Sequence, residues 1–356
     1  MVDFFPLIRP LIHALDPERA HNLTIQALRL GLSTQFGAGA NDPVLATNVF
    51  GITFPNPIGV AAGFDKNAEA ITGVHKMGFG FAEAGTVTPK PQAGNDKPRL
   101  FRLSEDKAVI NRFGFNNKGL EYFAAQLKAL PKTHGVFGAN VGANKDSDDR
   151  TADYVTGINR LYGLSSYFTV NISSPNTPGL RALQSKDALM ELISKVLEAR
   201  ASKIAEGKAY IPILVKIAPD LQEEDIRDIS DIALSSEIDG LIVSNTTIAR
   251  PETLKNKHRA EAGGLSGAPL MGPSTDVLRA IYRATEGKVP LIGVGGVASG
   301  ADAFTKIKAG ASLVQLYSAL VYSGPALVTQ IKAELASLLK AEGFASVADA
   351  VGADHR

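Results

Sequence analysis

Residues 167–181 read YFTVNISSPNTPGLR. Tyr167, Phe168, Thr169 and Val170 form an apolar, alternating run of the kind that makes a buried strand. From Asn171 to Arg181 the chain then turns polar, with two prolines and a glycine. Asn, Ser and Thr compete with regular backbone hydrogen bonding, and Pro175 and Pro178 cannot donate to a ladder, so this segment belongs just past a strand end. Taken alone it reads as a tight strand-to-helix loop. A functional reading gains weight because similar polar clusters recur after nearly every other strand.

The chain has 356 residues, 45% hydrophobic and 21% charged, enough to bury a large core in one domain or two. Its formal charge of +1 supplies no basic field, so no nucleic-acid partner is expected. With no cysteine there is no disulfide framework, no thiolate metal site and no cysteine base. No metal site is expected. No apolar run reaches the roughly 18–20 residues that span a bilayer, and no signal-peptide core opens the chain.

Outward from residues 167–181, short strands alternate with helical segments. Strands are expected at 58–62, 81–86, 136–141, 167–172, 211–217, 240–244, 291–294 and 312–316, with helices such as 186–206 and 222–234 between them. Roughly eight βα units in about 300 residues match the count and size of a (β/α)8 TIM barrel. An open doubly wound sheet would gather its chemistry at one switch point. Before the barrel, VLATNVFGITFPNP has the turn signals of a β-hairpin bending near Asn48 to Gly51, placed at the barrel base.

The first forty residues differ. Two short amphipathic patterns flank Asp16-Pro17, a helix cap followed by a first-turn proline. Phe4, Phe5, Leu7, Ile8, Leu11, Ile12 and Leu15 are more apolar surface than two short helices can hide from each other. They either dock on the main body or rest on a membrane interface. A Gly/Ala linker at residues 37–41 marks the boundary, giving a helical segment 1–40 and a barrel 41–356.

The remaining strand ends carry their own polar groups. AAGFDKNAE, residues 61–69, delivers Lys66 among small residues. Thr86 ends the second strand, and a long excursion without evident structure runs through 83–103 and 108–119. Loops of that length tend to be lids. It holds Asn111, Arg112, Asn116 and Asn117. Asn140 lies in the third strand, and Lys216 sits inside the apolar run ILVKIAPD. Lysine is almost never buried without a partner, so an inward Lys216 implies an anionic or electron-rich ligand. VSNTT brings Ser244 to Thr247, AGGLSG brings Gly267, and GVGGVASG and QLYSAL end the seventh and eighth strands, where barrel enzymes hold phosphate.

Together and in this order, AAGFDKN, KPRLFRL, NRFGFNN, NISSPNTPGLR, VKIAPD, SNTT, GGLSG, GVGG and QLYSAL resemble the dihydroorotate dehydrogenases, specifically the membrane-associated, quinone-dependent class 2 enzymes. The resemblance implies oxidation of dihydroorotate to orotate in pyrimidine biosynthesis, FMN as bound cofactor, and a respiratory quinone of the ubiquinone type as acceptor. It makes the N-terminal helices a quinone-access segment resting on the cytoplasmic side of the cell inner membrane, as a peripheral protein.

Carried over by position, Ser174 is the general base; serine is a poor base unassisted, so a relay is required, for which nearby Thr177 and a water are the candidates. The resemblance places Lys66, Asn111, Arg112, Phe113, Gly114, Phe115, Asn171, Asn176, Asn245 and Thr246 on the pyrimidine. It places Ala62, Gly63, Phe64, Asp65, Lys66, Thr86, Asn140, Asn171, Lys216, Ser244, Gly267, Gly296, Tyr317 and Ser318 on FMN. His13 and Arg9 are candidates for the quinone path. Two alternatives stay open: a soluble FMN barrel using fumarate or NAD, and a flavin-binding barrel without activity.

Overall fold

The computed structural model describes residues 5–32, 41–131 and 135–356. The linker expected at 37–41, apart from Asn41, and Phe4 of the first amphipathic pattern lie outside the described residues. Eight parallel strands close into a barrel. In barrel order they are β3 (Ile58–Asp65), β4 (Phe81–Val87), β7 (Val136–Val141), β8 (Tyr167–Asn171), β9 (Ile213–Ile217), β10 (Gly240–Val243), β12 (Leu291–Val294) and β13 (Ala311–Leu316). The fold is therefore the expected (β/α)8 barrel. Every strand begins and ends within a few residues of its expected bounds, and β7 and β12 coincide with them.

Strands in such a barrel are covered on both faces, so they read as apolar runs. Their outward side chains pack under a ring of helices: α3 (Ile71–Lys76), α4 (Gly119–Lys128), α5 (Arg150–Leu161), α6 (Lys186–Ala205), α7 (Glu223–Ser235), α8 (Met271–Ala284), α9 (Gly300–Lys308), α10 (Ser318–Ser323) and α11 (Leu327–Ala341), with a short α12 (Val347–Ala350) near the C-terminus. Their inward side chains form a smaller cluster that includes Phe81, Tyr167, Leu214, Ile242, Ile292 and Leu313. Large and small residues alternate around it. A Cβ on Gly59 would sit 2.4 Å from the Phe81 ring, and one on Gly138 would sit 2.2 Å from the Tyr167 ring. These two glycines make room for the rings that fill the barrel.

The hairpin β1 (Thr47–Val49) and β2 (Ile52–Phe54), turning at Phe50 and Gly51, closes the base. Its fully buried Phe54 meets Phe81 edge to face with ring centroids 5.3 Å apart.

At the opposite end, where the strands terminate, the excursion after β4 is more ordered than its sequence suggests. β5 (Leu100–Leu103) and β6 (Ala108–Asn111) pair antiparallel, and β11 (Gly264–Gly267), from the loop after β10, adds to β6. The expected lid is thus a three-stranded sheet on the barrel rim.

Two N-terminal helices, α1 (Phe5–Ala14) and α2 (Pro17–Arg29), complete the mouth. Asp16 caps α2 by accepting from the Arg19 amide at 2.9 Å, and Pro17 occupies the first turn. Two arginines of the rim hold this pair in place. Arg99 grips Glu18 with two charge-assisted bonds of 2.7 and 3.0 Å, and Arg102 donates to the α1 C-terminal carbonyls of Ile12, His13 and Leu15. Arg99 and Lys97 hold the Glu18 carboxyl below its ordinary value against the upward push of burial. No residue of α1 is buried, and Leu7 and Leu11 are 75% and 72% exposed. Among the described residues no helix is long and apolar enough to cross a membrane.

Candidate active site

The strand ends and the two N-terminal helices enclose a cavity of about 700 Å³. Among the described residues its wall contains Arg9, Lys66, Arg102, Lys107 and Lys216 and no carboxylate. Such a wall suits an anionic ligand.

One half of the wall is built from amides and hydroxyls at the strand ends. Asn245 Nδ2 donates to Ser173 Oγ (2.9 Å), Ser173 Oγ to Asn171 Oδ1 (2.9 Å), Asn171 Nδ2 to Thr86 Oγ1 (2.9 Å), Thr86 Oγ1 to Asn140 Oδ1 (2.6 Å), and Asn140 Nδ2 to Glu83 Oε1 (2.7 Å). Backbone amides fix the same polarity from the other end: Thr246 N donates to Asn245 Oδ1 and Ser173 N to Asn171 Oδ1. Across the cavity Asn176 Nδ2 donates to the Asn111 carbonyl at 3.1 Å and lies 3.3 Å from its side-chain oxygen. Asn171, Asn245 and Asn176 are thus each pinned by at least two contacts that fix their orientation, and each lines the cavity where a ligand can meet its remaining capacity.

Ser174 sits on this wall. Its Oγ accepts from the Asn176 amide at 3.2 Å. Thr177 lies behind it, buried, and among the described residues its hydroxyl has no hydrogen-bond partner. Arg181 ties the neighbouring loops together through Ser173 O (3.1 Å), Asp220 (2.8 Å) and Thr246 O (3.0 Å). This bracing answers the question the opening stretch poses, since its arginine staples three strand ends into one rigid rim.

Lys66 projects from the end of β3. Its ammonium donates to Gly63 O at 2.8 Å, lies 3.4 Å from His21 Nε2 and stands 4.2 Å over the Phe113 ring. Burial pushes its pKa down to about 8, an effect that Glu18 partly opposes. His21 in turn reaches the Tyr317 hydroxyl at 3.1 Å, and burial together with Lys66 keeps it neutral well below its ordinary pKa. Lys216 is a further lysine on the wall, and it is buried. Burial lowers its pKa, Glu83 raises it, and among the described residues its ammonium takes no hydrogen bond.

On the β12 and β13 side the backbone is bare. Gly267, Gly295 and Gly296 have φ of 95°, 114° and 81°, and a Cβ on Gly296 would come within 2.4 Å of the Met271 backbone. Only glycine serves there. With Tyr317 and Ser318 these residues form a cradle open to the cavity. Ser318 Oγ is held by Ser266 Oγ at 2.8 Å.

The other half of the wall is apolar and comes from α1, α2 and α10, including Phe5, Ile8, Ile12, Ala20, Leu28 and Leu320. Arg9 and His13 line it too, contacting the α10 carbonyls of Tyr322 (3.1 Å) and Val321 (2.9 Å).

Most of the residues that the resemblance places on substrate or cofactor, or gives a catalytic role, line this cavity, and four do not reach it. Arg112 turns outward to Glu261 at 2.8 Å and stacks on Phe101. The Asp65 carboxylate instead accepts from the amides of Asn67, Glu69 and Ala70 and so shapes the loop that carries Lys66. Asn140 and Thr177 stand one residue behind the wall. Glu83, His21, Arg102 and the Glu18–Arg99 pair were not anticipated. For Glu83 the signal was available: an acid inside the buried strand β4 is as anomalous as Lys216 in β9.

Fold and site together define a (β/α)8-barrel enzyme with a basic, amide-lined pocket at its strand C-termini and a cradle of bare backbone beside it. A family profile for dihydroorotate dehydrogenase matches residues 44–339. The chain belongs to that family of oxidoreductases. It is 57% identical to a dihydroorotate dehydrogenase (quinone) of Parvibaculum lavamentivorans over 99% of both chains, and 52% identical to one of Xanthobacter autotrophicus over the whole of both. A crystal structure of DHODH from Eimeria tenella in complex with ferulenol superposes with a TM-score of 0.91 at 42% identity, covering 96% of each chain.

Proposed function

We propose that the protein oxidises dihydroorotate to orotate on the polar half of the cavity, using bound FMN, and passes the electrons to a membrane quinone of the ubiquinone type through the apolar half. The observation that carries this reading is the continuous cavity joining Ser174 and its amides to the two N-terminal helices.

The residues present fit FMN. The backbone at Gly267, Gly296, Tyr317 and Ser318 would take the phosphate, and Thr86, Asn171 and Ser244 would meet the ring edge with Asn140 holding Thr86 from behind. The free ammonium of Lys216 would stand where negative charge develops. Bound FMN supplies the acceptor for the electron pair and its hydrogen from C6 of dihydroorotate.

Asn111, Asn171, Asn176 and Asn245 would read the alternating donors and acceptors of the pyrimidine, and Lys66 would stand against its carboxylate. Ser174 removes the proton from C5, so that the two carbons end double-bonded. Serine is a weak base without help. The unpartnered hydroxyl of Thr177, with a water, is the proposed route by which the proton leaves Ser174.

Residues 1–40 are proposed as a quinone-access segment on the barrel 41–356. Leu7 and Leu11 would enter the lipid interface as part of a peripheral attachment to the cytoplasmic side of the inner membrane.

Anaerobic titration of the purified yellow protein with dihydroorotate, followed by a ubiquinone analogue, tests donor, cofactor and acceptor together. Bleaching by the first and recovery of colour by the second are expected. Faster recovery with NAD or fumarate than with the quinone would overturn the acceptor assignment.

A further inference from the structure

We propose that Glu83 is a positioning charge that keeps the reduction potential of the bound flavin low by opposing Lys216 from behind the cavity wall. This rests on the cofactor reading given above. Glu83 lies on β4 and is fully buried. Its carboxylate is absent from the cavity wall and stands one step behind it. Through Asn140 (2.7 Å) it reaches Thr86, which lines the cavity. Its charge also acts on Lys216, which lines the cavity as well. The other carboxylate oxygen accepts from Gln315 Nε2 at 2.8 Å and from the Tyr167 hydroxyl at 3.3 Å.

Taking a carboxylate out of water costs several kcal/mol even after relaxation, and donors with a nearby cation offset that cost only in part. If Glu83 merely oriented Asn140, a neutral glutamine could do so, its amide oxygen keeping the Asn140 bond while Gln315 turns its unpartnered oxygen to accept from the new NH2. The charge is therefore the feature that calls for a role. Reduction places negative charge on the flavin. The basic wall favours it, and among the acids near the wall Glu18 and Asp65 act on Lys66, leaving Glu83 to act at Lys216. A negative charge fixed there makes the reduced form less favourable and the electron pair easier to pass on to the next acceptor.

The test is the midpoint potential of the holoenzyme, measured anaerobically against reference dyes. Glu83→Gln is expected to shift the balance toward the reduced flavin by at least tenfold, about 30 mV for a two-electron couple. The double variant Glu83→Gln/Asn140→Asp returns a carboxylate to the same hydrogen-bond chain one residue nearer the cavity, where it can accept both from the amide introduced on β4 and from the Thr86 hydroxyl. Its potential is expected below the wild-type value. A purely structural role would leave both potentials unmoved. A Glu83→Gln balance within threefold of wild type, or a double variant as positive as the single one, overturns the proposal. If Glu83→Gln loses its flavin, the double variant decides alone: a potential below the wild-type value supports the proposal, and one at or above it overturns it. Wild-type protein that takes up no FMN would bring down the cofactor reading and this inference with it.

Discussion

The two halves of the cavity are built on opposite principles. On the strand-end side, side-chain amides and hydroxyls are pinned by named partners at 2.6–3.3 Å, and Arg181 locks the loops that carry them. On the helix side the wall is aliphatic, and α1 has no buried residue of its own. That side is attached to the barrel by the Glu18–Arg99 pair, by Arg102 and by Ile25 and Leu28 of α2, which join the main apolar core. The first half has the fixed geometry that recognition of a polar ring would need. The second offers unspecific apolar surface, which suits a ligand defined mainly by being greasy. On the proposed function, one molecule would thus keep apart two chemistries that share a cofactor.

The contrast is most exposed to test at Ser174. Ser174→Ala removes one oxygen from the rigid half and should leave orotate and FMN binding intact, while single-turnover reduction of the flavin by dihydroorotate falls by about 10²–10⁴. A rate within about threefold of wild type would show that the base lies elsewhere.

The next largest effect belongs to the other half. Leu7→Glu/Leu11→Glu alters two exposed side chains that touch neither site. Each leucine withdrawn from an apolar phase costs about 1.5–3 kcal/mol, so vesicle co-sedimentation should weaken by about a hundredfold or more. Turnover with a long-tailed quinone in vesicles should fall with it, while bleaching by dihydroorotate stays unchanged. Equal loss of both activities would mean that the helices support the barrel and have no separate task.

The smallest expected effect lies at Lys66, where the halves meet. Its pKa in the free protein is about 8 because burial disfavours the ammonium. The cation is therefore present below that pH and lost above it. Binding of the anion orotate should weaken as pH rises through about 8, approaching tenfold per unit, and Lys66→Met should flatten the profile while lowering affinity throughout. A wild-type profile already flat from pH 7 to 9 would show that Lys66 does not meet the carboxylate.

The same division explains what could be read from the sequence. The barrel and the strand-end side were legible because each βα unit carries its own signal: an apolar run, then polar groups that regular structure cannot use. Asn171, Ser174 and Asn176 lie within a few residues of one another and announce themselves. The rim sheet was not legible. β5 and β6 are four-residue strands whose third partner, β11, comes from about 150 residues further along the chain, a pairing that no local pattern encodes. The seating of the N-terminal helices has the same character, because Arg99 meets Glu18 across 81 positions of sequence. Arg112 was misplaced for a related reason. Its neighbours Asn111 and Phe113 face the cavity, and in extended chain the intervening side chain points the other way.

The plug at the base of the barrel has an electrical consequence. Phe54, Phe81 and Tyr167, with Gly59 and Gly138 cut away to admit the rings, fill the barrel below the site. These packed side chains stand between the ligand chamber and the barrel base. A fixed charge beside the chamber is therefore screened less than one at the surface. Any substitution that opened the plug to water would weaken the influence of that charge without touching a single ligand contact.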